Sequence, residues 1–353
     1  MSHSLGYKMI ASWQNTLEAH GACMINGHVA DFGNAEVERQ AATHGPIVAD
    51  LSHLNLIQFT GEDAQNFLQG QLSNDVRQLD GATTQYTSFN SPKGRMLANG
   101  LLWQSAPNTY YFQLPESLRE AIQKRLSMFV MRSKLTVSDV SESWVKLGVG
   151  GPGAAAVLTE ILGALPATMH GLVKGEFGSL MYLPGDTYTL LLHPEQATAI
   201  WEKLLQQAKP VAAVHWEAQL LRAGIPTILP ATQEQFVAQM LNYELIGGVN
   251  FKKGCYPGQE IVARTQYLGK PKRRMYLAHI DGGEAPQAGD ELYSADFPDQ
   301  TTGMIVNAAP AANGGFDVLV VLQISSAGSQ ALHLKSIQGP ALALQALPYA
   351  VPT

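Results

Sequence analysis

The chain has 353 residues, of which 46% are hydrophobic and 15% charged, and its formal net charge is −6; this favours two or three soluble domains with sizeable cores. It has no apolar run of 18 residues that would cross a membrane, no charged and then apolar leader, and only two cysteines, too few for a disulfide framework or a zinc knuckle. We therefore expect a cytoplasmic protein, and the acidic balance argues against a membrane or DNA as its partner.

The stretch from about residue 54 to 140 alternates strands with helices. Apolar residues at helical spacing predict one helix after Gly61 and another over residues 116–129. Five short strands are predicted at 55–59, 83–89, 96–104, 109–114 and 135–137. The hairpin-like links between these strands favour an α+β fold over a doubly wound parallel sheet.

A second copy of this pattern follows the first. The motif Gly61-x-x-Ala64 comes after a strand, and so does Gly151-x-x-Ala154. Thr109-Tyr110 and Thr187-Tyr188 each begin a strand that ends in Pro-Glu before a helix. The spacing between these landmarks differs in the two copies, so two unrelated strand–helix units are the alternative. A true duplication predicts two antiparallel, ferredoxin-like α+β modules with a ligand cleft between them.

Beyond Pro271 the helical periodicity stops. Short strands separated by glycine-rich turns are predicted at 275–280, 304–306, 316–323 and 332–334, a spacing typical of a small β-barrel. We therefore divide the chain into an N-terminal extension (1–45), a first α+β module (46–140), a second module with a cysteine motif (141–270) and a C-terminal barrel (271–353).

The most informative stretch is residues 252–260, which read KKGCYPGQE. Residues 252–274 hold seven Lys or Arg residues against one acid, Glu260, whereas the rest of the chain is acidic. A thiol in a positive field is pushed toward the thiolate, and flanking glycines let backbone N–H groups approach a ligand. The alternative is a small core cysteine in an ordinary turn.

Four motifs occur in a telling order: GEDAQNFLQGQLSNDV (61–76), SPKGRML (91–97), RAGIP (222–226) and FKKGCYPGQEIVAR (251–264). Together they resemble the YgfZ family of folate-binding proteins, relatives of the aminomethyltransferase of the glycine cleavage system. The resemblance runs from about residue 45 to 349. It implies a duplicated α+β folate-binding core with a C-terminal β-barrel, tetrahydrofolate as the cofactor, and a link to tRNA thiomethylation and to the upkeep of iron–sulfur enzymes, with tRNA itself reached indirectly.

The resemblance also implies folate-binding residues. Trp216 stands where the family has a tryptophan that packs on the folate, and Leu54 stands where a second one is expected. Asp75 is the candidate carboxylate for the pterin, with an ordinary residue at a helix end as the alternative. Lys93 and Arg95 lie in a predicted turn and are candidates for the folate carboxylates or an RNA phosphate; a solvated turn is the alternative.

Around Cys255 the remaining candidates follow from chemistry. Lys253 would favour the thiolate, Tyr256 would shield one side of it, and Gln259 is polar. Glu260 and Arg264 are candidates for the thiol site and the folate rim, or form an i,i+4 ion pair on a helix. The basic residues at 270–274 are expected to form an anion-binding rim beside this loop. No histidine pairs with a Cys or an acid at metal-ligand spacing, so no complete metal site is expected.

Three functions compete. The first is a folate-binding accessory protein of tRNA modification that acts through iron–sulfur enzymes, with Cys255 as the working thiol. The second is a folate-dependent aminomethyl or one-carbon transferase, and the third is a scaffold in which Cys255 is structural. Aminomethyl transfer to folate needs no thiol, so the cysteine block favours the first; whether the protein turns over a substrate is left open.

Overall fold

The structure, a computed structural model, describes residues 9–269, 271–294, 297–328 and 332–352, with the backbone alone at 297–299. None of the helices in these ranges is long and apolar enough to cross a membrane. The chain begins with two helices and three short strands: α1 (Ala11–Ala19), β1 (Cys23–Ile25), β2 (His28–Asp31), α2 (Ala35–His44) and β3 (Ile47–Asp50).

The first module is a five-stranded antiparallel sheet with two helices. Its elements are β4 (Leu54–Thr60), α3 (Ala64–Gln71), β5 (Thr84–Asn90), β6 (Met96–Ala106), β7 (Thr109–Pro115), α4 (Glu116–Ser127) and β8 (Thr136–Asp139). The strand order is β5-β6-β7-β4-β8. Helix α4 buries Leu118, Ile122 and Leu126, which recur every four residues and so form one apolar stripe against the sheet.

The second module repeats this element order. It contains β9 (Val145–Gly150), α5 (Ala154–Leu162), β10 (Leu172–Gly175), β11 (Gly178–Leu183), β12 (Thr187–Leu192), α6 (Pro194–Leu205) and β13 (Lys209–Val211). Its strand order is β10-β11-β12-β9-β3-β13. Strand β3 from the N-terminal part is inserted between β9 and β13, antiparallel to the former and parallel to the latter.

The predicted duplication is confirmed by this topology. Without β3 the two sheets have the same strand order, and in each module a helix follows the first strand and another precedes the last. The landmarks Gly61 and Gly151 precede corresponding helices, and Thr109 and Thr187 begin corresponding strands. The predicted α+β class with a duplicated antiparallel core is therefore correct.

The second sheet is covered on both faces. All six residues of β12 are buried. Leu190 and Leu192 belong to a core cluster with Trp201, on the side of α1, α5 and α6. Leu191 belongs to the main core with Trp216 of the next helix, α7 (Ala213–Arg222). This packing places α7 between the second sheet and the first module.

After α7 the chain runs through irregular segments to the short helix α8 (Gln259–Tyr267) and then to a closed six-stranded barrel. The barrel strands are β14 (Arg273–Ile280), β15 (Glu291–Ser294), β16 (Phe297–Pro310), β17 (Phe316–Gln323), β18 (Leu332–Leu334) and β19 (Ala341–Gln345). The predicted C-terminal barrel is thus confirmed. It packs against α7 through β16 and β17.

Candidate functional site

A small inner cavity of about 70 Å³ lies between the two modules, where β4 and β6 face α7. Leu54 and Trp216 both line it. Trp216 is almost fully buried, and its indole lies over Gly148 of β9, where a Cβ atom would come within 2.7 Å of the ring. The indole N–H donates to the carbonyl of Val149 at 3.3 Å. A glycine in β9 therefore makes room for the tryptophan on the cavity wall.

Tyr86 of β5 supplies a polar group to the same cavity. Its side chain is 7% exposed, and its hydroxyl has no hydrogen-bond partner in the part of the chain that the structure describes. Burial raises the pKa of this phenol well above its ordinary value. Its ring meets His170 edge to face at 5.1 Å. A ligand that hydrogen-bonds to this buried hydroxyl would remove an unfavourable unpaired group.

An outer cavity of about 740 Å³ adjoins the inner one, and Ile225 lines both. This volume lies within the range of roughly 300–1,000 Å³ found for small-molecule sites. Arg222 at the end of α7 lines the outer cavity and also binds the barrel, because its Nη1 donates to Asp317 Oδ2 at 3.2 Å. The phenol of Tyr349, on the opposite wall, donates to the carbonyl of Gly224 at 2.9 Å. The outer cavity is thus bounded by the second module, α7 and the C-terminal segment.

Of the predicted folate-binding residues, Leu54 and Trp216 come together in the inner cavity, whereas the other four line neither cavity. The Asp75 carboxylate accepts from Nε and Nη2 of Arg77 at 2.9 and 2.8 Å, and this guanidinium lowers the pKa of Asp75 to about 2. Arg95 donates to the carbonyl of Gln235 at 2.6 Å. Lys93 and Arg264 are exposed.

The cysteine loop lies against the turn that carries Lys93 and Arg95. Cys255 is exposed. Gly258, the residue before α8, has φ +76°, and a Cβ atom there would lie 2.5 Å from Cα of Gly94. Two motifs far apart in the sequence, SPKGR and KKGCYPGQE, therefore form one surface.

Lys253 anchors this loop to the first module. It is 5% exposed, and its ammonium donates to the backbone carbonyls of Gln69, at 2.7 Å, and Leu72, at the C-terminal end of α3. It also lies 5.0 Å from the centre of the buried Tyr256 ring. Burial lowers the pKa of Lys253 to about 8, and burial likewise raises that of Tyr256 to about 12. The lysine holds the loop in place, and its hydrogen bonds go to α3.

The remaining residues of the cysteine motif are more open. Gln259 is half-buried at the start of α8, and Glu260 is exposed. Glu260 and Arg264, both within the described ranges, form no ion pair within 4 Å, so the local pairing considered from the sequence does not occur. Both side chains are exposed on α8, which follows the cysteine loop.

Of the basic residues predicted to form a rim at 270–274, Arg274 is buried, whereas Lys272 is exposed and Arg273 is half-buried. Lys270 lies outside the described residues. Arg274 is 5% exposed and pairs with the buried carboxylate of Glu244, while its Nη1 also donates to the carbonyl of Gln239 at 2.8 Å. These residues follow the C-terminal end of α8, whereas Cys255 precedes its N-terminal end. The guanidinium of Arg274, which we expected at the surface, is therefore bound by polar groups of the interior.

Tyr86, His170 and Arg222 were not identified as candidates from the sequence. Arg222 opens the RAGIP motif, which was a signal for it. Tyr86 sits in the middle of a strand and His170 in a loop, with no local pattern that marks either one. Within the described ranges, no group of three or more His, Cys, Asp or Glu side chains could hold a metal ion.

Comparisons with known proteins agree with this architecture. A model of the GCVT N-terminal domain matches residues 4–222. The tRNA-modifying protein YgfZ of Sodalis glossinidius (strain morsitans) is 30% identical to the chain, over 88% of this chain and 95% of that protein. The chain belongs to the YgfZ family. Its relative of the same name from Pectobacterium carotovorum subsp. carotovorum (strain PC1) is 29% identical over 93% of this chain and 99% of that protein.

The fold of this chain is also similar to that of a solved aminomethyltransferase structure. The glycine cleavage system aminomethyltransferase T from Bartonella henselae superposes with a TM-score of 0.80, at 18% identity, over 98% of each chain. At this identity the likeness shows the fold. The family match begins at residue 4, so the resemblance does not start near residue 45 as expected. Strand β3, which falls within the predicted first module (46–140), is a strand of the second sheet.

Proposed function

We propose that this protein binds tetrahydrofolate in the cleft formed by the inner and outer cavities and acts in tRNA modification. The observation that carries the proposal is the buried, unpartnered hydroxyl of Tyr86 beside the apolar wall of Leu54 and Trp216. A pterin is flat and rich in hydrogen-bonding groups, so it needs such a wall and a few polar partners. The name of the YgfZ relatives supports the role in tRNA modification.

The residues present fit a folate. Its anionic glutamate tail requires a cation at the far end of the site, and Arg222 lines the outer cavity with a guanidinium that is 35% exposed. Arginine binds carboxylates well because its N–H groups match their geometry. We therefore assign the pterin to Tyr86, Leu54 and Trp216 and the tail to Arg222. Asp75, Lys93, Arg95 and Arg264 lie outside the cleft and are proposed instead for the surface around Cys255.

Cys255 is the proposed working thiol in the upkeep of iron–sulfur enzymes of tRNA modification, in a cytoplasmic setting. It is exposed on a loop that Lys253 fixes to the first module, beside the turn of Lys93 and Arg95. Tyr256, Gln259 and Glu260 complete its surroundings. A thiol presented on a rigid, accessible surface can reach a partner protein, whereas a transferase acting within the cleft would not need it.

The proposal is tested in cells that lack their own YgfZ relative. We expect the wild-type protein to restore thiomethylated tRNA nucleosides, measured by mass spectrometry, and Cys255→Ser to fail although it folds. Cys23→Ser is the matched control, since Cys23 is also exposed but lies on β1, away from the loop. Full restoration by Cys255→Ser would refute the role of the thiol and favour the alternative, a folate-dependent aminomethyl or one-carbon transferase.

A further inference from the structure

A third cavity, of about 550 Å³, lies at the end of the second sheet, where β9 ends and α5 begins. Its wall includes the loop Gly151-Pro152-Gly153. With Gly148 and Gly150 this segment has the spacing G-x-G-x-x-G between a strand and a helix, which in other folds lets backbone N–H groups approach a phosphate. Here the strand before the loop, β9, pairs antiparallel with β12, unlike the parallel strands of those folds.

The first turn of α5 is open. The helix has nine residues, its N-cap is Gly153, no side chain caps it and no acid lies in its first turn. In the first module the corresponding turn is Gly61-Glu62-Asp63, and the Asp63 carboxylate accepts from the backbone N–H of Lys134. The second copy therefore has glycine and proline where the first has acids. The N–H of Ala154 donates to the carbonyl of Gly151 at 3.1 Å. The next two N–H groups, of Ala155 and Ala156, have no acceptor within the helix, and the positive end of the helix dipole lies at the cavity.

Gln219 of α7 gives independent support for a ligand. Its side chain is 8% exposed and lines the cavity. The backbone N–H of Gly151 donates to Gln219 Oε1 at 3.1 Å, which fixes the orientation of the amide. Its Nε2 is buried and has no partner among the described residues. A buried donor without an acceptor beside an open helix N-terminus indicates that an acceptor is missing.

Two tyrosines form an aromatic surface on the same cavity. Tyr182 and Tyr188 stack with ring centres 4.9 Å apart and planes 15° apart. Tyr188 pairs with Val149 in the sheet, which places it next to the start of α5. The Tyr182 hydroxyl donates to Asp186 Oδ1 at 2.7 Å, and Asp186 also lines the cavity. Its carboxylate keeps acceptor capacity for a further hydroxyl group.

We propose that this cavity binds a ribonucleotide. The phosphate is held by the N–H groups of Ala155 and Ala156 in the first turn of α5 and by Nε2 of Gln219. A ribose hydroxyl donates to Asp186, and the base packs against Tyr182. No Lys or Arg is among the described residues that line it. This favours the singly charged phosphodiester of an RNA strand over the doubly charged phosphate of a free nucleotide. The site extends the proposed role in tRNA modification to direct RNA contact. It shares Gln219 and Gly185 with the outer cavity, whereas α5 lines this cavity and not the outer one.

The test measures binding of the full-length protein to unfractionated tRNA and to fluorescent single-stranded oligoribonucleotides by anisotropy, with adenosine monophosphate as a second arm. Ala155→Asp puts a carboxylate on the exposed first turn of α5; an acid there stabilises a helix, so the variant should fold. Thr159→Asp is the matched control, because it adds the same charge one turn later, at an exposed position outside the cavity.

We expect Ala155→Asp to weaken RNA binding by about tenfold or more, the scale on which one phosphate contact is lost, and Thr159→Asp to leave it within about twofold. The matched oligodeoxyribonucleotide should bind more weakly, since it lacks the hydroxyl for Asp186. If Ala155→Asp weakens the binding of adenosine monophosphate by the same factor, the ligand of this cavity is a free nucleotide and not an RNA strand. Equal affinity of the two variants, or no binding of RNA and nucleotide by the wild type at millimolar concentration, would overturn the proposal. Tetrahydrofolate binding, measured on the same samples, should stay unchanged in Ala155→Asp, so a failure of this site is distinguishable from a failure of the folate cleft.

Discussion

Tyr86 keeps a hydroxyl between the two modules without a partner in the described structure. Leaving such a group unpaired typically costs about 1–3 kcal/mol. Trp216 differs from Tyr86, because its indole N–H donates to the carbonyl of Val149. Its ring lines the cavity. One side chain thus forms the apolar wall, and the other carries the polar group that we assign to the ligand.

Tyr86→Phe separates these two roles. We expect the variant to be as stable as the wild type or more stable by about 1 kcal/mol, because the change removes a buried unpaired hydroxyl. Tetrahydrofolate should bind it more weakly, since a hydrogen bond to the ligand is lost. Urea denaturation and a folate titration of the same preparation check both points. A marked loss of stability in Tyr86→Phe would show that the hydroxyl has a protein partner after all.

At the scale of residues, the sequence could predict those site residues that stand at recognisable positions. Leu54 and Trp216, identified by the positions that the resemblance implies, meet in the inner cavity although 162 residues separate them in the sequence, 216 − 54. Asp75 stood in a motif too, but its neighbour Arg77 occupies its carboxylate, a contact that sequence alone does not fix. Tyr86 could not be predicted, because its importance arises from the absence of a partner in three dimensions.

The contact between the turn of Gly94 and the N-terminal end of α8 depends on two glycines. Gly258→Ala should lower the stability by more than the roughly 1–2 kcal/mol that a left-handed backbone costs a non-glycine residue, because its Cβ would also lie 2.5 Å from Gly94 Cα. Gly247→Ala is the control, since Gly247 has the same φ, +76°, but no atom within 4 Å of a Cβ. Urea denaturation of both variants gives the difference. Equal losses would mean that the loop does not pack closely on this turn.

His53 and Glu217 form an ion pair next to the two residues that line the inner cavity. His53 precedes Leu54, Glu217 follows Trp216, and His53 Nε2 lies 2.6 Å from Glu217 Oε1. Burial opposes the charged form of His53, but the carboxylate outweighs burial and raises its pKa; Asp50 acts in the same sense and Lys146 against it. Burial likewise opposes charge on Glu217, but the imidazolium outweighs it and lowers that pKa.

These directions predict a pH window. Because the pKa of His53 is raised on folding, its contribution to stability is complete below about pH 6.5 and is lost as the pH rises through the pKa of the folded protein. Because the pKa of Glu217 is lowered on folding, its contribution is lost as the pH falls through the pKa of Glu217 in the folded protein. The pair should therefore stabilise most between about pH 4.5 and 6.5. His53→Gln should lower the free energy of unfolding by up to about 1 kcal/mol at pH 6, a small loss because the pair is partly solvated. The loss should be smaller at pH 8.5. An equal or larger cost at pH 8.5 would contradict the assignment.

Elements with strong periodicity were predicted within a few residues, as β4, α3 and β17 show. The N-terminal elements were not predicted, because α1 buries only Trp13 and Leu17 and β3 gains its partners from strands about 100 and 160 residues away. The strands β15 and β19 were also missed, since they are short and the latter alternates alanine with leucine. Their structure comes from closure of the barrel, which a local pattern does not encode.

The whole molecule is a duplicated core closed by a barrel, and its ligand cleft depends on all three parts. The first module supplies Tyr86 and Leu54, α7 supplies Trp216 and Arg222, and the barrel binds Arg222 through Asp317. The duplication was evident from the repeated landmarks in the sequence. The cleft was expected between the modules, but the contribution of the barrel to it arises from the packing of β16 and β17 on α7.

Binding of tetrahydrofolate in this cleft is measured by calorimetric titration of the wild type, Trp216→Phe and Trp201→Phe. Both tryptophans are fully buried on helices, but Trp201 lies in the core on the far side of the second sheet. Trp216→Phe should weaken binding by about 1 kcal/mol, roughly fivefold in Kd, the scale of a reduced aromatic contact, while Trp201→Phe should bind like the wild type. No binding by the wild type at millimolar tetrahydrofolate, or equal affinity of the two variants, would contradict binding in this cleft.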